Sequence, residues 1–378
     1  MRKVLFITHD DMSGGSSKSL VDQIRFLRDN KLVDPIVITW KENSLTEYLR
    51  KKGIQSFALR FDYTSVWTRN RLFHFVKRMY YRSFYNYFAY RKLKKQLNFS
   101  ELSLVVSNSS VVDFGAYLHR KQRIPHIWYL REFGDLDFNI ISYIRNLPHY
   151  IDVNSDGIIA VSKAVAEHWQ KRGVEKRIDV VYNGVCNASF SCEGQERGPI
   201  VNICMCGRLC PAKGQTLALK SLTLLPKNIL KQIHLDFFGM GESEKDLQTF
   251  VRLNTLEKNV SFKGYSENLE RELDDYEVGL TLSIAEGFGR TTVEYMMHAL
   301  FVIGTNTGGT PELLQYGKYG LLIEPGAPRQ LAEAIVNYCQ NRNELQKRAL
   351  EAPAYVKREF SISKNAKQAY LLYEKHMK

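Results

Sequence analysis

The sequence predicts an α/β protein made of two Rossmann-like lobes, each with a parallel sheet, facing each other across a cleft. Three observations lead there. Short Val- and Ile-rich runs alternate with helical stretches, as in parallel sheets covered on both faces. A Gly-, Asn- and Ser-rich break, "NGVCNASFSCEGQERGP", falls near the middle and reads as a linker. The length, 378 residues with 44% hydrophobic content, suits two domains better than one.

The first lobe, residues 1–184, takes its strands from "KVLFIT", "PIVIT", "IQSFAL", "SLVVS", "HIWYL", "GIIAV" and "DVVY". After the boundary near Val185 the second lobe, 185–357, takes "IVNICMCG", "IHLDFFG", "VSFKG", "VGLTL", "FVIG" and "LLI". The last segment, 358–378, has the helical spacing of Ala366, Tyr370, Leu371 and Tyr373. It closes the fold as a helix. Periodicity leaves open which lobe it packs on, the first being one choice. In such sheets ligands bind at the carboxyl ends of the strands.

A formal charge of +13 and a pI near 9.3 suit an anionic partner: nucleic acid, phospholipid headgroups or a phosphorylated small molecule. "MRKVLFITHDD" fails as a signal peptide, because its apolar stretch is short and ends in two aspartates. No run approaches the length of a membrane-spanning helix. A cytoplasmic location is the expectation. The cysteines, at 186, 192, 204, 206, 210 and 339, lack a secreted framework spacing, and "NICMCGRLC" alternates them along a strand as small hydrophobes. No histidines lie near enough to complete a zinc site.

The chemistry-bearing residues cluster in three turns of the second half. "GRLCPAKG" places Arg208 and Lys213 after a strand, beside Gly207 and Gly214. Forked and point cations with permissive backbone suit a diphosphate, although a solvated basic loop is the plain alternative. After "VGLTL" the chain turns at Glu286-Gly287-Phe288-Gly289 and enters a helix with Thr291 and Thr292 in its first turn. Free amides at such a helix start hold phosphate oxygens, and the helix dipole helps. Glu286 sits in the turn, where its carboxylate can accept from hydroxyls. Glu294 stands one turn into the helix among Val293, Met296 and Met297, where a lone glutamate could also cap or face solvent. "GTNTGGTPELL" is a third glycine turn between a strand and a helix.

In this order and spacing, "GRLCPAKG", "FFGMGE", "SIAEGFGRTTVEYM" and "GTNTGGTPELLQYGKYGLLIEP" resemble the carboxy-terminal lobe of family 4 retaining glycosyltransferases of the GT-B fold. The family's E-x7-E pattern is met by Glu286 and Glu294. In the first half the resemblance is thinner: "GGSSKSL", "AVSKAVAEHW" and "VYNGV". The resemblance implies a nucleotide-sugar donor in the second lobe and an acceptor in the first. Arg208 and Lys213 would bind the donor diphosphate and neutralise it as it leaves. Glu286 would contact the sugar, Glu294 the ribose, and the amides from Gly287, Phe288, Gly289, Arg290 and Thr291 the phosphates. Gly14 and Gly15 would line the cleft from the first lobe. No metal or other cofactor is implied, since preorganised cations can stabilise the departing diphosphate. No protein nucleophile is assigned.

One place departs from the family pattern. Where many relatives carry a histidine or aspartate, "HIWYLREFGDLD" has Arg131 and Glu132. Arg131 cannot serve as a base because its guanidinium stays protonated. Glu132 is therefore the candidate for acceptor contact, and His126, within the strand, is read as packed. "DLD" looks like a D-x-D metal motif, a three-letter match that arises often by chance.

Residues 69–96, "RNRLFHFVKRMYYRSFYNYFAYRKLKKQ", interleave nine Lys or Arg with nine Phe or Tyr and contain no acid. Three readings compete: an anionic membrane surface, inward core packing, and single-stranded nucleic acid. The membrane is the partner adopted, and nucleic acid is not. With the motifs, this gives a retaining transferase acting on a lipid-linked saccharide in surface polysaccharide (capsule, O-antigen or similar) assembly, peripheral on the inner face of the cell membrane. The alternatives are a GT-B sugar-nucleotide epimerase or hydrolase, and a catalytically silent membrane-associated binding protein.

Overall fold

A computed structural model of the chain describes residues 1–12, 14–67, 84–138, 140–186, 198–266 and 268–377. These divide into two compact units, Met1–Gly184 with Ile362–Lys378, and Val185–Ser361.

In the first unit the strands are β1 (Arg2–Thr8), β2 (Val33–Thr39), β3 (Gln55–Ala58), β4 (Ser65–Trp67), β5 (Leu102–Ser107), β6 (His126–Leu130), β7 (Ile140–Ser142), β8 (Gly157–Ala160) and β9 (Ile178–Val180). Seven of them form one sheet in the order β3-β2-β1-β5-β6-β8-β9, and every pairing in it is parallel. All five residues of β6 are buried, which is why its sequence runs apolar without alternation. The strands β4 and β7 pair antiparallel as a separate ribbon, which the apolar runs do not reveal because each is only three residues long.

Helices cover this sheet with apolar stripes. Gly15–Asp29 buries Leu20, Val21, Ile24 and Leu27, the helical period of three and four. Lys163–Lys171 starts at Ser162, whose hydroxyl accepts from the Val165 amide at 3.2 Å, and it buries Trp169. The last helix, Ile362–His376, packs on Gly15–Asp29, and its buried Tyr373 meets Phe6 of β1 edge-on at 6.1 Å. The basic aromatic stretch is described from residue 84 onward; 68–83 lie outside the described residues. Residues 84–94 are helical. One face turns inward: Asn86 is bonded to Asp62 and Asp113, Tyr90 stacks on Phe99 at 5.4 Å, and Leu93 is fully buried. Core packing thus accounts for that face, while Phe84, Tyr87, Phe88, Arg91, Lys92, Lys94 and Lys95 are exposed.

In the second unit β10 (Val201–Cys206), β11 (Ile233–Phe238), β12 (Val260–Gly264), β13 (Val278–Thr281), β14 (Phe301–Thr305) and β15 (Gly320–Ile323) form a six-stranded parallel sheet in the order β12-β11-β10-β13-β14-β15. Ile203, Leu235, Phe237, Leu280 and Ile303 are buried in its core. The strand order reverses between β10 and β13, and that crevice is where ligands bind in open α/β sheets. No described helix is long and apolar enough to cross a membrane.

Candidate functional site

The site of the second unit is assembled by the loops that leave β10, β13 and β14. After β10 the chain makes a short turn at Pro211–Lys213 that ends in Gly214 at φ +82. A Cβ at Gly214 would lie 2.3 Å from the Leu282 carbonyl oxygen, so only glycine lets this loop close on the one after β13. The Ile284 amide then donates to the Ala212 carbonyl at 3.0 Å and clips the two loops together.

This closure places Lys213 Nζ 2.6 Å from Glu286 Oε2, and the Ser283 hydroxyl donates to the same oxygen at 2.9 Å. Burial alone would raise the Glu286 carboxyl. The Lys213 ammonium, its hydrogen bond and that of Ser283 outweigh burial and hold the carboxyl below its ordinary value. The third glycine turn presses on the same residue: the Gly309 amide donates to the Glu286 carbonyl at 2.8 Å, and a Cβ on Gly308 would sit 2.3 Å from that oxygen. Glu286 is thereby held from three loops.

Gly289, at φ +96, leads into the helix Arg290–Met297. Tyr295 anchors that helix: its ring lies on Gly279 of β13, where any Cβ would stand 2.2 Å away, and its hydroxyl accepts from the Cys206 amide at 2.6 Å. Thr291 and Thr292 stand in the first turn, and a void of about 30 Å³ lies among Lys213, Thr281, Glu286, Gly289 and these two. That is room for one or two oxygen atoms. The Oγ1 atoms of Thr281 and Thr292 are buried without a partner. Thr291 and Thr292 are the lining hydroxyls the sequence singles out, as the first turn of the helix; Thr281, Ser283 and Thr310 carry no periodic signal, although Ser283 and Thr310 stand inside the quoted motifs.

The other sequence candidates in this unit are placed differently. Arg208 is exposed and pairs with Glu242 at 3.0 Å, away from Glu286. Glu294 takes Arg290 at 3.5 Å, an i,i+4 pair. The side chain of Phe288 is buried against Phe360, with ring centroids 5.8 Å apart. Gly287 is buried in the turn.

In the first unit Gly14 and Gly15 open the helix that follows β1; Gly14 is extended at φ −82 and its carbonyl accepts from the Lys18 amide. Glu132 is buried, and Ser109 Oγ, Ser110 N and Ser110 Oγ all donate to its Oε1, at 2.7, 2.7 and 2.5 Å. It braces the turn after β5. Arg131, also buried, donates from Nε to Asn108 and from Nη1 to Asn183, and its guanidinium carbon lies 3.9 Å over the Tyr129 ring. His126 is packed inside the sheet, its Nε2 2.9 Å from Ser107 Oγ and its Nδ1 2.6 Å from the Asn154 carbonyl. Of "DLD", Asp137 accepts the Phe133 and Gly134 amides, while Asp135 faces His168 at 2.7 Å. Burial first, and the Glu132 charge second, push Asp137 up to about 7. Among the described residues no group of three or more His, Cys, Asp or Glu side chains could hold a metal ion.

Residues 196–353 match the family profile described as Glycosyl transferases group 1, and residues 14–187 match Glycosyltransferase Family 4. The chain belongs to this glycosyltransferase family. An uncharacterised glycosyltransferase of Methanocaldococcus jannaschii is 29% identical to it over 264 residues, which are 69% of this chain and 71% of that one. The amylovoran biosynthesis glycosyltransferase AmsK of Erwinia amylovora is 28% identical over 166 residues, 41% of this chain and 40% of the relative. HepE from Anabaena, solved with UDP, superposes over 99% of this chain and 100% of its own with a TM-score of 0.81 at 20% identity. A second HepE crystal structure contains UDP-glucose. The glycosyltransferase has the GT-B fold, a parallel α/β sheet in each of two units.

Proposed function

We propose that this glycosyltransferase is a retaining, metal-independent hexosyltransferase that uses a nucleotide-diphosphate sugar and passes the sugar to a lipid-linked saccharide in surface polysaccharide assembly. The observation that carries this reading is the Lys213–Glu286 pair, 2.6 Å apart, in a polar void at the β10/β13 switch point. On donor binding, Lys213 turns to the diphosphate and neutralises the charge that builds on it as the glycosidic bond breaks. Glu286 is released to accept from sugar hydroxyls. The unpartnered hydroxyls of Thr281 and Thr292 and the amides from Gly289 to Thr291 complete a cradle for phosphate oxygens. Arg208 lies on the same loop as Lys213, and its long side chain can exchange Glu242 for the diphosphate. Glu294 receives the ribose in place of Arg290.

The HepE complexes support UDP-linked glucose as the first donor to try, and AmsK supports a polysaccharide product. Glu132, held by Ser109 and Ser110, orders the acceptor side of the reaction. Donor turnover measured over a panel of nucleotide sugars, with product analysis, tests the reading. Unchanged transfer by Glu286→Gln or Lys213→Met would sink it, and loss of transfer on chelation by EDTA would overturn metal independence.

A further inference from the structure

Buried charges in folded proteins are paired, because an isolated ion loses its hydration for nothing in return. Arg131 breaks that rule. Its side chain follows β6, is only 8% exposed, and has no carboxylate within ion-pair distance among the described residues. Its partners are neutral: the Asn108 and Asn183 amide oxygens and the face of Tyr129. The second terminal nitrogen, Nη2, is buried with no acceptor, and next to it Asn108 Nδ2, at the end of β5, is buried with none either. Two orphaned donors, one of them charged, lie beside the β1/β5 switch point of the first sheet.

Arg131 also forms a wall of a void of about 10 Å³, shared with Ser19, Gln23, Tyr182 and Asn183. That is space for one oxygen atom. Gln23 has an unpartnered Oε1 here, and a side-chain amide can present either end to a ligand. The surroundings therefore offer a fixed guanidinium and amides, and they lack the counter-charge.

We propose that this pocket binds an anionic oxygen of the acceptor, a carboxylate or a phosphate, and that Arg131 supplies its counter-ion. The inference rests on the transferase reading above, in that it gives the acceptor-side unit an acidic ligand. The same chemistry comes from a uronic acid or from the phosphate of a lipid carrier. In either case Asn108 and Asn183 hold the guanidinium fork in place, and the stack on Tyr129 fixes its plane.

The full chain, saturated with UDP so that the donor-side cations are occupied, is titrated calorimetrically at constant ionic strength with sodium glucuronate, inorganic phosphate and neutral glucose. One or both anions should saturate a single site, and glucose should not. Saturation by glucuronate alone identifies a carboxylate ligand; saturation by phosphate identifies a phosphorylated one. Arg131→Gln should weaken that binding by roughly tenfold or more while UDP affinity stays as in the wild type. Asn183→Ala, a milder change that removes one holder of the fork, should weaken it by a few-fold and covers the case that Arg131→Gln does not fold. Absence of saturation by either anion in UDP-bound protein, or equal affinity in the variants, overturns the proposal and leaves a pocket for water. Failure to bind UDP at all would strike the transferase reading instead.

Discussion

At Glu286 burial and charge pull in opposite directions, and the ammonium of Lys213 prevails. A carboxyl that ionises below its ordinary value contributes its pairing fully above about pH 4.3 and loses it only as pH falls through the lower folded value. UDP-glucose affinity, followed calorimetrically, should therefore stay flat from about pH 8 to about pH 5. Glu286→Gln should cut turnover by roughly 10²–10³ across that window, the scale seen when one preorganised group is lost from a transition state. His126 responds in the same direction, over a higher pH interval. Burial pushes its imidazole down to about 3, so below the ordinary value of about 6.5 the unfolded chain takes up a proton that the native ring refuses. Stability from this group falls as pH drops through that interval, by at most about 1.4 kcal/mol per pH unit. Urea unfolding at pH 7 and at pH 4.5 should show a smaller difference for His126→Gln than for the wild type; an equal difference would place the proton elsewhere.

Loops, more than strands, decide what the site can hold. A Cβ at Gly308 would meet the Glu286 carbonyl at 2.3 Å, and the residue is at φ +59, so Gly308→Ala combines backbone strain with a clash. Gly53 has a similar φ of +70 but nothing within 4 Å, so Gly53→Ala carries the strain alone. The first change should cost on the order of 1–3 kcal/mol and raise the donor KM; the second should cost about 1 kcal/mol and leave KM alone. Thermal denaturation and steady-state kinetics on both variants separate the two effects. The same contrast explains what could be read in advance. Each apolar run named in the sequence became a strand, because parallel strands covered on both faces must be apolar throughout. The β4–β7 ribbon was illegible, since three residues carry no period. In the site, the glycines and the charges of "GRLCPAKG" and "AEGFGRTTVE" stood out by residue type. Thr281 and Thr310 did not, because a threonine in a strand or at a helix start is ordinary until the sheet order makes the two neighbours. That Arg208 pairs with Glu242 follows from the loop after β11, whose path no local pattern gives.

For the molecule as a whole, the net charge of +13 favours association with extended anionic surfaces. The outward face of residues 84–95 shows Phe84, Tyr87 and Phe88 beside Arg91, Lys92, Lys94 and Lys95, an arrangement suited to headgroup-level aromatics with cations on lipid phosphates. Replacing Lys92, Lys94 and Lys95 together by Gln should lower partition onto phosphatidylglycerol vesicles by roughly 100-fold at low salt, at about 1 kcal/mol per cation. Sedimentation with phosphatidylcholine vesicles gives the baseline, and no change in the triple variant would remove this surface from the proposal. The closing helix carries a different kind of consequence. Tyr373 completes the packing around Phe6, so the first unit is discontinuous in sequence whereas Val185–Ser361 is contiguous. A ribosome delivers residues 185–361 before it delivers Ile362–His376. The second unit can thus reach its native packing on the emerging chain while the first still waits for its last helix, reversing the order in which their synthesis began.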